Sequence, residues 1–384
     1  MVRWAACCVR RKYSQPLPAV LVTAGRYHLR MASSGFPTVL PPLLQAACDR
    51  VRSRANQAAI IGPWAAGSMA VLAEQGLLAG FIPIPYGGRA TSEAERVTAL
   101  AAVATACLTT ALAVSQWAAA VRIIVSGNHD QGNDDLQAAL LPPLARGETF
   151  TTVGLSHLTT SRQHLGRPPL VASQDGDGWR LDGFCPWVTG ADVCDTIVTG
   201  AATEAGSRFF VVPTASAGLL IDQPLEMLAL SGSRTSAVHF VCARPSHVIN
   251  PPETNAARTG GLATTALALG AARASIERVV AEVSQRSALD QFAVGLERER
   301  ARLFDRLLQA AESGIAPDAR DALRSDANGL VLRAAQTALT TAKGAGFVRG
   351  HPAEQLVRES LFFLVWSCPQ SVTAAMLCEF AGVG

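Results

Sequence analysis

The stretch whose reading decides the fold is Gly346-Phe347 followed by Pro352-Ala353-Glu354-Gln355-Leu356-Val357-Arg358-Glu359, continued by Trp366-Ser367-Cys368-Pro369-Gln370. It opens a segment, residues 353–365, whose apolar positions recur at helical spacing. On either side the same periodicity runs through 262–284, 291–313, 319–343 and 371–380. Four or five helices of this length pack as a bundle. Gly344-Ala345-Gly346 with Gly350 lacks dinucleotide-binding spacing and follows a helix instead of a strand, so it predicts no Rossmann site.

Ahead of this bundle, from residue 149 to about 245, β-branched residues alternate in short runs and turns recur. Leu170-Val171-Ala172 and Trp179-Arg180-Leu181 flank Asp175-Gly176-Asp177-Gly178, whose glycines accept the positive φ of a hairpin turn. Further strands are predicted at 196–199, 208–212 and 237–242. Earlier still, residues 41–148 are helical, with Leu43, Leu44, Ala47 and Val51, then Met69, Leu72, Leu77 and Leu78, at helical spacing. Gly62-Pro63, the loop Pro83-Ile84-Pro85-Tyr86-Gly87-Gly88 and residues 127–135 punctuate that block. Residues 1–30 are basic and carry no acid; they read as an untranslated upstream stretch, with Met31 as the start, or as a weak leader. The order is helices, a β insert, then a helical bundle: an α+β chain.

Composition narrows the function classes. Charged residues are 16% of the chain and hydrophobic ones 49%, against about 25% charged in ordinary soluble chains. Much surface is therefore buried in the chain or in copies of it, which predicts an oligomer. The net charge of +3 comes with no basic cluster on the folded body, so a nucleic-acid partner is excluded. The nine cysteines include no Cys-x-x-Cys pair, so no metal site is predicted and the thiols read as reduced, in a cytoplasmic protein. Residues 99–121 are long enough to span a bilayer, but Thr105, Thr109, Thr110, Ser115 and Gln116 interrupt them, and a buried bundle helix is the better reading. Gly154-Leu155-Ser156-His157-Leu158 ends in Leu where a nucleophile elbow needs Gly. Asp130, Asn133, Asp134 and Asp135 lack the closing Glu of a calcium loop.

Several co-ordered strings carry a resemblance across about residues 40–384. Glu74-Gln75-Gly76-Leu77 leads to Ile82-Pro83 and Tyr86-Gly87-Gly88; Leu141-Pro142 and Gly147-Glu148 precede the β region. Pro186-Trp187-Val188-Thr189-Gly190 and Ser231-Gly232-Ser233-Arg234-Thr235-Ser236 follow, and Gly346-Phe347 with 352–359 closes the series. In these motifs the chain resembles the acyl-CoA dehydrogenase family of FAD flavoproteins. The resemblance implies an N-terminal helical domain (31–148), a middle β-barrel or sandwich domain (149–247) and a C-terminal four-helix bundle (248–384), assembled as a homodimer or homotetramer. It implies FAD, or FMN in a monooxygenase, between the β domain and the bundle.

The site residues follow from that resemblance. Trp187 and Val188 would lie near the isoalloxazine, with the Thr189 hydroxyl toward flavin N5. A core aromatic is the ordinary reading of Trp187. Val153 and Ser156 would meet the pyrimidine end. Arg286, sixteen residues after Gly270, would reach the pyrophosphate of the neighbouring subunit, with a guanidinium geometry suited to phosphate. Gly346, Phe347, Pro369 and Ser371 would border the cofactor, the last two at a helix start. The string 366–370 stands in place of the family's usual aromatic-Glu-Gly-Thr, and the turn at 231–236 resembles the one before the β domain's last strand.

The departures bear on chemistry. The family's catalytic Glu falls nine residues after Arg358, on Ser367, and a hydroxyl cannot take an α-proton at neutral pH without its own base. The alternative carboxylate position falls on Gly260, and the Arg expected next falls on Gly261, with Arg258 nearby. His157 is the titratable side chain that the resemblance sets near the flavin, although a lone His is more often structural. Cys368 reads as a buried, inert thiol. The function expected is a FAD-dependent oxidoreductase with a small-molecule substrate, an acyl thioester being one candidate, and an electron acceptor left open. The alternatives are a reduced-flavin monooxygenase on the same fold and a non-catalytic flavin-binding scaffold.

Overall fold

The computed structural model describes residues 40–61, 66–89, 91–127, 133–159, 170–249 and 261–383. The leader, Gly62-Pro63, Asp130, Arg258 and Gly260 lie outside the described residues.

The N-terminal helices are α1 (Pro42–Ile61), α2 (Ala66–Glu74), α3 (Glu93–Ala106), α4 (Leu108–Ser126) and α5 (Asn133–Arg146). Ser92 starts α3 through a capping box: its Oγ accepts the Glu95 N–H at 3.2 Å while its own N–H donates to Glu95 Oε2 at 2.7 Å. These bonds hold the Glu95 carboxyl below its ordinary range. The apolar run 99–121 is not one helix, because Cys107 takes extended dihedrals (φ −163°, ψ 111°) and divides it between α3 and α4. Among the described residues α4 alone is long and apolar enough to cross a membrane, and its apolar stretch is 67% buried here.

The middle region is β1 (Thr151–Gly154), the one-turn α6 (Ser156–Thr159), β2 (Leu170–Asp175), β3 (Gly178–Val188), β4 (Thr196–Thr203), β5 (Gly206–Pro213), β6 (Leu219–Ile221), β7 (Ser236–Ala243) and β8 (His247–Ile249). They form one mixed sheet in the order β6-β7-β3-β2-β4-β5-β8, with β1 parallel to β4. The predicted hairpin joins β2 to β3 with Gly176 at φ 60°. Leu181, Cys185, Val188, Ile197, Phe210, Val238 and Phe240 fill the core beneath the sheet. The turn 231–236 does not precede the last strand: β8 follows β7 and pairs with β5, Phe209 opposite Ile249. Three residues are too few to leave an alternating pattern in the sequence.

The C-terminal helices are α7 (Leu262–Val283), α8 (Asp290–Ser313), α9 (Pro317–Gly346), α10 (Pro352–Leu361) and α11 (Gln370–Ala381). The segment predicted at 353–365 ends early, in a 3-10 turn at Phe362–Leu364. The described cysteines are unpaired.

The N-terminal helices join this bundle through a close crossing of α3 and α7. At Gly270 an added Cβ would fall 2.3 Å from the Ala101 carbonyl oxygen and 2.7 Å from Ala104 Cβ. Thr105 Oγ1 donates to the Gly270 carbonyl at 3.1 Å across the same contact. Gly270→Ala is expected to force the helices apart and cost about 1–3 kcal/mol, read as a lower urea midpoint. An unchanged midpoint would show that the crossing is loose.

Candidate functional site

The corner where β1 leaves the sheet positions the first group of site residues. All four residues of β1 are buried, Val153 among them, and Gly154 fits against Ile197, Val188 and Cys185. The chain then turns into α6, whose first residue is Ser156. Its Oγ accepts the Trp187 backbone N–H at 3.2 Å and lies 3.3 Å from Cys185 Sγ. That contact fixes the end of β3, where strand alternation buries Val188 and turns Trp187 outward. The Trp187 indole is 52% exposed, so it is not a core aromatic.

Thr189 follows at the strand end and is buried. Its Oγ1 is 3.3 Å from Thr235 Oγ1, which is 2.8 Å from Ser233 Oγ. The Gly190 N–H donates to the Ser233 and Arg234 carbonyls, at 2.9 and 3.1 Å. Leu230 and Arg234 bracket the 3-10 turn 231–233 in left-handed conformations, and Arg234 pairs with Asp192. The strings 186–190 and 231–236, far apart in sequence, are thus one hydrogen-bonded unit.

His157 points elsewhere. Its ring is 2% exposed, and Nε2 lies 2.7 Å from the Gly200 carbonyl of β4. A carbonyl only accepts, so the proton is on Nε2 and Nδ1 carries a lone pair, which has no partner. Burial lowers the pKa of this imidazole, so the ring is a neutral strut of the β domain.

The C-terminal group is organised around the turn 366–368. Trp366 stacks on Phe362 with centroids 5.0 Å apart, and Ser367 sits at φ 49°, a strained conformation for a residue with a Cβ. Pro369 caps α11, and Ser371 Oγ donates to Asp321 at 2.7 Å. Arg358 reaches from α10 to the β domain, donating to the Leu228 carbonyl at 2.7 Å, while Glu354 holds its other side at 2.6 Å. This bridge seats the bundle on the β domain. Arg286 donates to Glu282 and to the Thr341 carbonyl, beside the kink where Lys343 takes φ 55°. Gly346 is buried there and Phe347 is 83% exposed. The structure therefore brings Ser156, Trp187 and Thr189 together and gathers Arg286, Gly346 and Phe347 at the far end of the bundle. It also shows two groups that the sequence reading did not single out. Glu359 is 7% exposed and accepts a hydrogen bond from Gln355 Nε2 at 2.8 Å. Arg324 lies buried under the 366–368 turn. No local signal marks either, since their burial depends on packing between helices.

Residues 44–148 match the family model described as "Acyl-CoA dehydrogenase, N-terminal domain". The probable acyl-CoA dehydrogenase YngJ of Bacillus subtilis is 24% identical over 317 residues, covering 75% of this chain and 82% of that protein. This chain is similar to acyl-CoA dehydrogenases over three quarters of its length. Their fold extends through the β sheet and the bundle: butyryl-CoA dehydrogenase from Megasphaera elsdenii superposes with a TM-score of 0.75 at 15% identity, over 90% of this chain and 99% of that one. KijD3, solved in complex with FMN and a dTDP-linked keto sugar, superposes with a TM-score of 0.71 at 19% identity, over 91% and 97%. The acyl-CoA dehydrogenase fold thus accommodates both kinds of protein.

Burial raises the Glu359 carboxyl from 4.5 to about 7, against smaller opposing effects of Gln355 and Arg358. The unfolded chain ionises this group at its ordinary value and the folded chain only near 7. Its stabilising contribution is therefore complete at acid pH and is lost as pH rises through 7, by an amount on the order of 3 kcal/mol. Glu359→Gln is expected to remove this pH dependence and to be relatively more stable at pH 8 than at pH 5, compared by urea midpoints. Equal differences at both pH values would refute the assignment.

Proposed function

We propose that this chain is a flavin-dependent oxidoreductase acting on an acyl-type small molecule. The observation that carries this reading is the Ser156–Trp187–Thr189 corner: an exposed indole held by a hydroxyl-to-backbone bond beside a chain of buried threonine and serine hydroxyls. Those residues fit an isoalloxazine, which has one apolar face for the indole and polar edges for hydroxyl and amide donors. Trp187 and Val188 would hold the ring, Ser156 and Val153 its polar end, and Thr189 the edge bearing N5. Arg286 would reach the pyrophosphate of the FAD on a neighbouring subunit, Gly346 and Phe347 would border the cofactor, and so would Pro369 and Ser371 at the start of α11. FAD bound there would supply a two-electron acceptor.

The chain's own part is to orient the substrate and to manage its proton. The Ser367 hydroxyl occupies the turn where the resemblance calls for a carboxylate, so it binds rather than abstracts. Thr235 and Ser233 fix the Thr189 hydroxyl, which makes it a positioned donor. The exposed Phe347, Val348, Leu377 and Phe380 support assembly with further copies of the chain.

The hydroxyl character of Ser367 also favours a second reading. On this fold a reduced-flavin monooxygenase, with FMN or FAD, needs no α-proton base, and the FMN complex of KijD3 is compatible with it. The two readings separate in an anaerobic titration of the purified, flavin-loaded protein with acyl-CoAs of graded chain length, followed at visible wavelengths. The dehydrogenase reading expects bleaching by at least one of them. A yellow protein that none bleaches overturns it and leaves the oxygen-dependent reading or a flavin-binding scaffold.

A further inference from the structure

A small cavity lies where α4 packs on β1, walled by Met69, Trp117, Phe150, Thr152, Thr189 and Cys194 among others. Its volume is about 10 Å³, the space of one water molecule. Two of its walls carry buried polar atoms that find no partner among the described residues. Trp117 is 1% exposed, and its Nε1–H meets no acceptor; Thr152 is 2% exposed, and its Oγ1 neither donates nor accepts. Both side chains are held in place. Phe81 stands nearly perpendicular to the Trp117 indole with centroids 5.8 Å apart, and Thr152 is fixed in β1 opposite Ile197 of β4. Other hydroxyls of that strand pair are satisfied within it: Thr196 Oγ1 donates to Thr151 Oγ1 at 2.9 Å, and Thr199 Oγ1 donates to the Gly154 carbonyl at 2.7 Å.

The chemistry of the walls selects the occupant. None of the residues that wall the cavity carries a charge, so an ion would be left there without a counter-charge. An indole N–H only donates, whereas a hydroxyl both donates and accepts. A water oxygen can accept from Trp117 Nε1 and has two protons left, one for Thr152 Oγ1 and one for Thr189 Oγ1. Buried polar groups are commonly satisfied in this way, by an ordered water that makes about three hydrogen bonds. Thr189 gains a direction from it. Its Oγ1 ends the row Thr189–Thr235–Ser233, whose contacts are 3.3 and 2.8 Å. With Thr235 donating to one lone pair and the water to the other, the Thr189 proton points away from both.

We propose that this cavity is a binding site for one water molecule, held by Trp117 and Thr152, and that this water positions the Thr189 hydroxyl as a donor. The water site concerns the protein alone. Its effect on a cofactor rests on the flavin reading of the Trp187 face.

The test begins with crystal structures of the full-length protein and of Thr152→Val, at a resolution that shows ordered solvent. The proposal expects one density peak within about 3.2 Å of both Trp117 Nε1 and Thr152 Oγ1, and its loss in Thr152→Val, which keeps the side-chain shape and removes the hydroxyl. A parent cavity without density, or a peak bonded to neither atom, would overturn the water site, and this observation requires no variant to fold. A peak that persists in Thr152→Val would overturn the part given to Thr152. The positioning role is read from the visible absorption of the FAD-loaded protein. Thr152→Val should shift the flavin bands, and Thr152→Ser, which restores the hydroxyl, should return them to the parent's positions. A Thr152→Val spectrum identical to the parent's would overturn the role given to the water at Thr189. Parent protein that takes up no FAD would overturn the flavin reading instead, and the density in the cavity would still decide the water site.

Discussion

The hydrogen bond from the Trp187 backbone N–H to Ser156 Oγ is the contact on which the candidate site depends. It joins the end of β3 to the turn that leaves β1, so two strands that are not neighbours in sequence present one face. Without it, nothing in the strand pairing would fix the indole outward, because β3 meets β7 irregularly between Cys185 and Val188. The bond lets alternation proceed to the strand end, burying Val188, exposing Trp187 and delivering Thr189 to the Thr235 and Ser233 hydroxyls. The bundle is then set against this face by the Arg358 bond to the Leu228 carbonyl.

The polar groups divide into two populations. The β-domain face at Trp187 presents neutral groups, hydroxyls and backbone amides. The bundle side holds buried ionisable groups: Glu359 on α10, the Glu297–Arg300 pair on α8, and Arg324 on α9, whose Nε and Nη1 have no hydrogen-bond partner. A neutral face suits a cofactor ring that must change its electron count without strong bias from fixed charge. Arg324, buried beneath the 366–368 turn, donates to the Trp366 carbonyl there.

Most of the architecture was legible because it rests on local pattern. Helical periodicity marked α7, α8, α9 and α11 to within a few residues, and Gly176 marked the β2–β3 hairpin. What was not legible rests on contacts between distant segments. The break at Cys107 leaves no composition signal, because Ala106 and Leu108 are both good helix formers. The resemblance set Trp187 near a flavin, but that its indole is turned outward is visible only from the way Ser156 holds the strand end. The same holds for His157, whose ring turns to Gly200 of β4 because that glycine leaves room for Leu158 beside it. Glu359 looked like one more charge on an amphipathic helix, and only the packing of α10 against the rest of the bundle buries it.

The central claim is that the Trp187 face holds a flavin and that Ser156 holds Trp187. The most direct test is titration of flavin-free protein with FAD, followed by quenching of flavin fluorescence, for the parent chain and for Trp187→Ala and Ser156→Ala. The account predicts binding by the parent with strong quenching, and affinity at least tenfold weaker in Trp187→Ala, since an aromatic stack contributes about 0.5–1.5 kcal/mol beyond the area it buries. Ser156→Ala should weaken binding in the same direction. Equal affinity and equal quenching in all three would contradict it.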